Sequence, residues 1–231
     1  MPLHIGIVGC SAEGAALCYR TICAEGAALL GPHAHPPVSM HTPSLSHYVE
    51  RLDRGDLQGV AALMVDSARR LFAAGADFLV CPDNTIHQAF ELAEPESPLP
   101  WLHIAREVAA EASRRGFRKV GITGTSWLAR SDVYPRALRA VDIQAVRPAP
   151  ADIEETGRII MDELVPGRVV PASVERLRQV VDRLGEQGCD AVVLGCTELP
   201  LVLGDHNCAL PTLDSTRLLA RAALRRAVPA T

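Results

Sequence analysis

The chain has 231 residues, with 48% hydrophobic side chains, 22% charged side chains and a net charge of −4, the balance of a globular protein with a real core. With no basic run and no aromatic stacking platform, that balance argues against a nucleic-acid partner. No apolar stretch reaches the roughly 18 residues of a membrane span.

The opening, MPLHIGIVGC, has no basic segment and runs straight into an apolar strand pattern, so the expected location is the cytoplasm. Seven scattered cysteines form no CxxC pair and no Cys/His metal spacing. Free thiols in a reducing compartment, and no metal, are the reading.

In chain order, short runs rich in Val and Ile end in Gly or Pro turns: Ile5 to Val8, Val38 to His41, Phe78 to Cys81, Val120 to Thr123 and Ala191 to Leu194. Helical patterns lie between them. Leu57, Val60, Ala61, Met64, Val65, Ala68, Leu71 and Phe72 recur at the spacing of one buried helix face,. Val174, Leu177, Val180, Val181 and Leu184 do the same later in the chain. Helices between short, almost wholly apolar strands predict parallel sheets covered on both faces.

The chain also repeats itself. HIGIVGCSAEG from His4 is echoed by KVGITGTSWLA from Lys119, 115 positions later. GADFLVCPDNTIH from Gly75 is echoed by GCDAVVLGCTELP from Gly188, 113 positions later. Two motifs in the same order at nearly the same offset predict an internal duplication. The expected architecture is α/β, with two pseudo-symmetric lobes, each a parallel sheet flanked by helices, and an active site between them. The Pro-rich EPESPLPW, residues 94 to 101, marks the boundary. The predicted lobes are residues 1–102 with 212–231, and 103–211, because a terminal strand and helix need a sheet to join.

Ligands of such sheets bind beyond the carboxyl ends of the strands. Four strand ends are predicted there, bearing Ser11, Asp83-Asn84-Thr85, Thr125-Ser126 and Cys196-Thr197-Glu198. Ser11, Asn84, Thr85, Ser126 and Thr197 supply short polar side chains at the starts of following helices, where free N–H groups suit a carboxylate. The same residue types also serve simply as helix caps.

In the echo, Asp77 falls on Asp190, while Asp83 falls on Cys196. Two proton-transfer groups facing across a small substrate can remove a proton from one face and return one to the other, without metal or organic cofactor. No GxGxxG or Walker run is present to hold a dinucleotide or nucleotide.

Taken together, IGIVGCSAEGAALCY, CPDNTIH, VGITGTSWLARSDVY and GCTELPLVL resemble the aspartate/glutamate racemase superfamily over nearly the whole chain. That group includes hydantoin racemases, maleate isomerases and arylmalonate decarboxylases. The resemblance implies racemisation without pyridoxal phosphate by two cysteines, one per lobe. It implies that neighbouring Asn, Thr and Ser hold the substrate carboxylate, here Ser11, Asn84, Thr85, Thr125, Ser126 and Thr197, that Glu198 belongs to the same substrate-binding set, and that the enzyme is a homodimer. The family pattern reads Cys-Asn-Thr, whereas this chain reads Asp83-Asn84-Thr85; only the second cysteine, Cys196, is in place.

In free peptides Cys titrates near about 8.5 and Asp near about 3.9. The expected resting site therefore holds Asp83 as carboxylate and Cys196 as thiol, with Asp83 as base and Cys196 as donor. Asp83 has two other candidate roles, as partner of a substrate ammonium or as the mark of a one-sided decarboxylation or isomerisation. A hydantoin racemase, or a carboxylate-binding protein without catalysis, completes the alternatives.

Tyr48, Cys81 and His87 are possible participants, and several neighbours bear on the same question. Cys81, about 6.6 Å from Asp83 along an extended strand, is a rival thiol or a buried strand cysteine. His87 either polarises the Asp83 side or makes a structural hydrogen bond. Tyr48 and Val165 fall near the places where dicarboxylate-specific relatives carry basic residues, which argues against a second substrate carboxylate, although Arg51 and Arg168 lie close by. Glu198 either caps the helix after Cys196 or orients its thiol.

Overall fold

A computed structural model describes residues 1–228. The chain divides into two compact units, Met1–Ile104 with the chain from Thr216 on, and Ala105–Ser215.

The first unit begins with β1 (Ile5–Val8), α1 (Ala12–Leu30), β2 (Val38–His41), α2 (Leu45–Asp53), α3 (Leu57–Ala73) and β3 (Phe78–Val80). A 3-10 turn (Thr85–Ala89), α4 (Phe90–Ala93) and β4 (Trp101–Leu102) follow. The strands form one four-stranded parallel sheet in the order β2-β1-β3-β4.

The chain continues through α5 (Ile104–Arg114), β5 (Lys119–Thr123), α6 (Ser126–Arg130), α7 (Val133–Arg139), β6 (Gln144–Val146) and α8 (Pro150–Ile159). A π-helical turn (Ile160–Leu164) extends α8. Then come α9 (Pro171–Glu186), β7 (Ala191–Leu194), a 3-10 turn (Leu199–Leu201), β8 (Thr212–Asp214) and α10 (Ser215–Ala227). The second sheet, order β6-β5-β7-β8, is parallel throughout. Its strand order repeats that of the first, as the duplicated motifs require.

The repeat extends to individual contacts. Gly6 in β1 faces Leu71 of α3, and a Cβ there would lie 2.6 Å from Leu79 Cδ2. Gly121 in β5 faces Leu184 of α9, with a corresponding 2.7 Å to Leu184 Cδ1. Leu71 and Leu184 are themselves 113 positions apart, the offset of the second echo. Before each third strand a glycine with positive φ, Gly75 at 87° and Gly188 at 83°, turns the chain where an L side chain would be strained. The next-but-one residue clamps the first strand. The His4 amide donates to Asp77 Oδ2 at 2.6 Å, and the amides of Arg118 and Lys119 donate to Asp190 at 2.7 and 3.2 Å.

The expected buried face of α3 holds for Val60, Ala61, Met64, Val65, Ala68 and Leu71, but Phe72 is 56% exposed. Position 72 continues the spacing one residue past the stripe that meets the sheet. The tail also departs from expectation. Its strand, β8, pairs with β7 in the second sheet. Its helix, α10, buries Leu219, Ala220, Ala223 and Leu224 with Ile5, Ile7, Phe78 and Val80 of the first unit. Among the described residues the tail is therefore split, with β8 in the second unit and α10 packed in the first, rather than assigned wholly to the first. An edge beside β7 offers unpaired backbone groups to the strand, and the apolar stripe of α10 is buried on the other sheet. Residues 229–231 lie outside the described residues. No described helix is long and apolar enough to cross a membrane.

Candidate functional site

In the first unit, Ser11 ends the turn after β1 and caps α1, accepting from the Gly14 amide at 3.2 Å. Asp83 follows β3 at Cys81-Pro82 and is half-buried. Its Oδ1 accepts from the Ile86 amide at 3.2 Å, so one carboxylate oxygen caps the turn that carries Asn84 and Thr85. Both of these are buried. They enter a 3-10 turn rather than the expected helix, and Asn84 makes no side-chain cap bond. His87 bonds the Asp83 main-chain carbonyl at 2.6 Å through Nδ1.

Cys81 is wholly buried, its Sγ 3.9 Å from the same Asp83 carbonyl oxygen. Burial first, and then the charge of Asp83, push its pKa well above the ordinary thiol range, against a weaker opposing backbone hydrogen bond. At neutral pH Cys81 is a thiol and not a base. Tyr48, on α2, is also wholly buried, and its hydroxyl makes no hydrogen bond of good geometry. Burial raises its pKa first; Cys81, Cys10 and Asp83 act in the same direction, and the neighbouring Ser67 opposes them. It is a neutral phenol in the electrostatic field of Asp83. Arg51 donates to the His47 carbonyl of its own helix at 2.8 Å.

In the second unit, Thr125 is the cap of α6, its Oγ1 accepting from the Leu128 amide at 3.2 Å. Ser126 points elsewhere: its hydroxyl donates to the Ile153 carbonyl of α8 at 3.3 Å, over Gly157, where a Cβ would sit 2.1 Å from Ser126 Oγ.

Cys196 emerges after Gly195, whose added Cβ would lie 2.5 Å from the Thr123 carbonyl oxygen; only glycine permits that approach. The Cys196 thiol donates to Glu198 Oε2 at 2.8 Å, and the Thr197 hydroxyl donates to the same oxygen at 2.7 Å. Cys196 is 8% exposed, Thr197 3% and Glu198 3%. Glu198 stands at the cap of a 3-10 turn but makes no side-chain cap bond; it is spent on the thiol and the hydroxyl. Val165 and Met161, at the π-helical turn, pack against the apolar cluster that includes Cys196, Leu199 and Val202. Arg168 is tied to the Asp162 carbonyl.

Two supports of this half-site escape a reading by residue type. The Thr123 hydroxyl donates to the Val193 carbonyl at 2.6 Å, and the Ser215 hydroxyl donates to the Leu194 carbonyl at 2.8 Å. Both brace β7 just before Cys196. A signal for Thr123 was present in the echo, where it falls on apolar Val8. Ser215 also approaches Tyr134, whose hydroxyl is raised in pKa by burial despite that hydrogen bond. Among the described residues, no group of three or more His, Cys, Asp and Glu side chains is arranged to hold a metal ion.

A family profile described as Asp/Glu/Hydantoin racemase matches residues 5–223. The broad specificity amino-acid racemase RacX of Bacillus subtilis is 22% identical over 191 residues, 81% of this chain and 80% of that protein. A glutamate racemase of Ectopseudomonas mendocina is 33% identical over 141 residues, 57% of this chain and 49% of the relative; the match thus spans about half of the relative's length. A crystal structure from Yersinia pestis, provisionally assigned as an Asp/Glu racemase, superposes with a TM-score of 0.88 at 30% identity, over 97% of this chain and 99% of that one. An aspartate racemase homologue from Pyrococcus horikoshii gives 0.82 at 26% identity, over 97% and 98%.

Proposed function

We propose that this chain, which belongs to the Asp/Glu/hydantoin racemase family, is a cofactor-independent amino-acid racemase or epimerase in which Asp83 and Cys196 exchange protons with opposite faces of one substrate Cα. The observation that carries the reading is the buried Cys196–Glu198 pair. A thiol 2.8 Å from a carboxylate oxygen is held in one direction and has a proton acceptor beside it, so it can give up a proton and recover it. A cysteine serving only as a small core side chain needs no such partner.

In the forward sense, the α-proton passes to the Asp83 carboxylate and the carbanion takes a proton from the Cys196 thiol. The products are a carboxylic acid at position 83, a thiolate at position 196 and the inverted amino acid. Solvent exchange returns both groups to the starting state. The carboxylate of the substrate is assigned to the cap amides and hydroxyls after the first and third strands, around Ser11, Asn84, Thr85, Thr125 and Thr197. A neutral Tyr48 and the apolar Met161 and Val165, with Arg51 and Arg168 held by carbonyls of their own segments, favour an uncharged substrate side chain over a second carboxylate. RacX, a broad specificity amino-acid racemase by description, is consistent with that preference.

One observation favours a second reading. Asp83 Oδ1 caps the Ile86 amide, a structural task that leaves Cys196 as sole proton donor in a one-sided decarboxylation. A single experiment separates the two: NMR in D2O with both enantiomers of the common amino acids, with hydantoins and arylmalonates, for wild type and Cys196→Ala. Racemisation predicts loss of the Cα–H signal and appearance of the opposite hand with wild type, and at least about 1000-fold slower inversion in the variant. Inversion at the wild-type rate by Cys196→Ala, or release of CO2 without inversion, overturns the proposal.

A further inference from the structure

His87 stands four residues beyond Asp83 and spends both ring nitrogens on the backbone. Nδ1 lies 2.6 Å from the Asp83 carbonyl oxygen, and Nε2 accepts from the Ile104 amide at 3.3 Å. A carbonyl can only accept and an amide N–H can only donate. The two bonds together therefore define one ring state, a neutral imidazole with its proton on Nδ1. The Ile104 amide opens α5 and is one of the donors that a helix leaves unpaired at its first turn, so the same ring also caps that helix. The imidazole is 3% exposed. It stacks on Phe90 with centroids 5.4 Å apart and planes 4° from parallel, and it meets the His103 ring edge-on at 4.6 Å. Packed against this pair of rings and bonded at both ends, it ties the turn after β3 to the exit of β4.

The second unit ties the corresponding points differently. Pairing sets Leu79 opposite Trp101 and Val80 opposite Leu102, and it sets Val192 opposite Thr212 and Val193 opposite Leu213. Since Leu79 and Val192 are equivalent in the repeat, Ile104 corresponds to Ser215, and His87 to Pro200. Ser215 bonds the Leu194 carbonyl, two residues before Cys196. In both units the fourth strand's exit is tied to the end of the third. Only in the first does the tie end on the main chain of the proton-transfer residue itself.

We propose that His87 is a positioning residue for Asp83, a neutral strap protonated on Nδ1 that holds the Asp83 backbone and thereby the direction of its carboxylate. This rests on the reading of Asp83 as a reacting group. The ring is not itself an acid or base in the reaction, because both nitrogens are committed to the backbone.

The test has two parts. Nitrogen-15 NMR of the wild-type imidazole at neutral pH is expected to show a protonated Nδ1 and an unprotonated Nε2. An Nε2-protonated ring or an imidazolium overturns the proposal, whatever the enzyme's activity. Kinetics then use whichever of L-alanine, L-phenylalanine, L-aspartate and L-glutamate the wild type inverts fastest. His87→Asn places an amide where Nδ1 stands and is expected to keep most of kcat. His87→Gln places its amide where Nε2 stands and, like His87→Ala, is expected to lose roughly 10- to 100-fold in kcat, with little change in KM, the scale of a small misplacement of a reacting group.

Equal rates for the Asn and Gln variants, or an undiminished His87→Ala, overturn it, and the Asn/Gln contrast stands if His87→Ala does not fold. An Asp83→Asn control keeps the two readings apart. Loss of inversion there beside an active His87→Ala sinks the strap alone, whereas full inversion in Asp83→Asn sinks the catalytic reading and the strap with it.

Discussion

The residue that opens each third strand does the same work in both units, while the residue just past its end does different work. Asp77 and Asp190 clamp the backbone at the start of the neighbouring strand, each set up by a left-handed glycine two positions earlier. At the far end the copies part. Asp83 caps its own turn and its main-chain carbonyl is bonded by His87, whereas the Cys196 thiol donates a hydrogen bond to Glu198 on strand ends braced by Thr123 and Ser215. The two copies share their scaffolding and differ in the residue just past the strand end. A carboxylic acid stands in one half and a thiol in the other.

The most severe way to break that comparison is to erase it. Asp83→Cys gives both halves a thiol, and inversion is expected to persist with its rising pH limb moved alkaline. A base must be deprotonated to act, and reference values put that requirement about 4.6 units higher for a thiol than for a carboxylate. A profile of kcat/KM against pH checks this, and an unmoved limb means that Asp83 is not the base.

Glu198→Gln tests the other half. The thiol loses a charged acceptor for a neutral one, and kcat is expected to fall roughly 10- to 100-fold while KM and thermal stability change little.

The shared scaffolding can be compared as well. Asp190→Ala should cost about 2 kcal/mol in chemical denaturation, and Asp77→Ala less, because Asp190 is half-buried and accepts from two amides while Asp77 is exposed,. Equal losses would mean that solvent replaces these bonds alike in both halves. The smallest effect belongs to Tyr48→Phe. Removing a buried hydroxyl that makes no hydrogen bond of good geometry should leave stability unchanged or raise it by up to about 1 kcal/mol.

Much of this arrangement is legible in the sequence because the repeat reports it twice. Ile5–Val8, Val38–His41 and Ala191–Leu194 are strands over the expected residues, since buried parallel strands leave short apolar runs between turn residues. The positions of Asp83 and Cys196 follow from the same echo. What stayed hidden depends on neighbours that no periodicity encodes. Two-residue β4 is too short to leave a pattern. The split of the tail between sheets was decided by which edge stood open, and the direction of Ser126 by the notch that Gly157 leaves in α8. His87 and Ser215 could be named as polar residues, but their partners are backbone groups brought close only by the sheet register.

Hand-selective exchange tests the proposal that the two unlike acids serve opposite hands of one substrate. Asp83→Asn keeps an oxygen able to accept from Ile86, and Cys196→Ala removes the thiol. Each variant is incubated in D2O with each enantiomer separately, and loss of Cα–H is followed without regard to inversion. Each variant is expected to exchange one hand with retention, and the hand is expected to differ between the two. Exchange of the same hand by both variants, or inversion at the wild-type rate by Asp83→Asn, would contradict it.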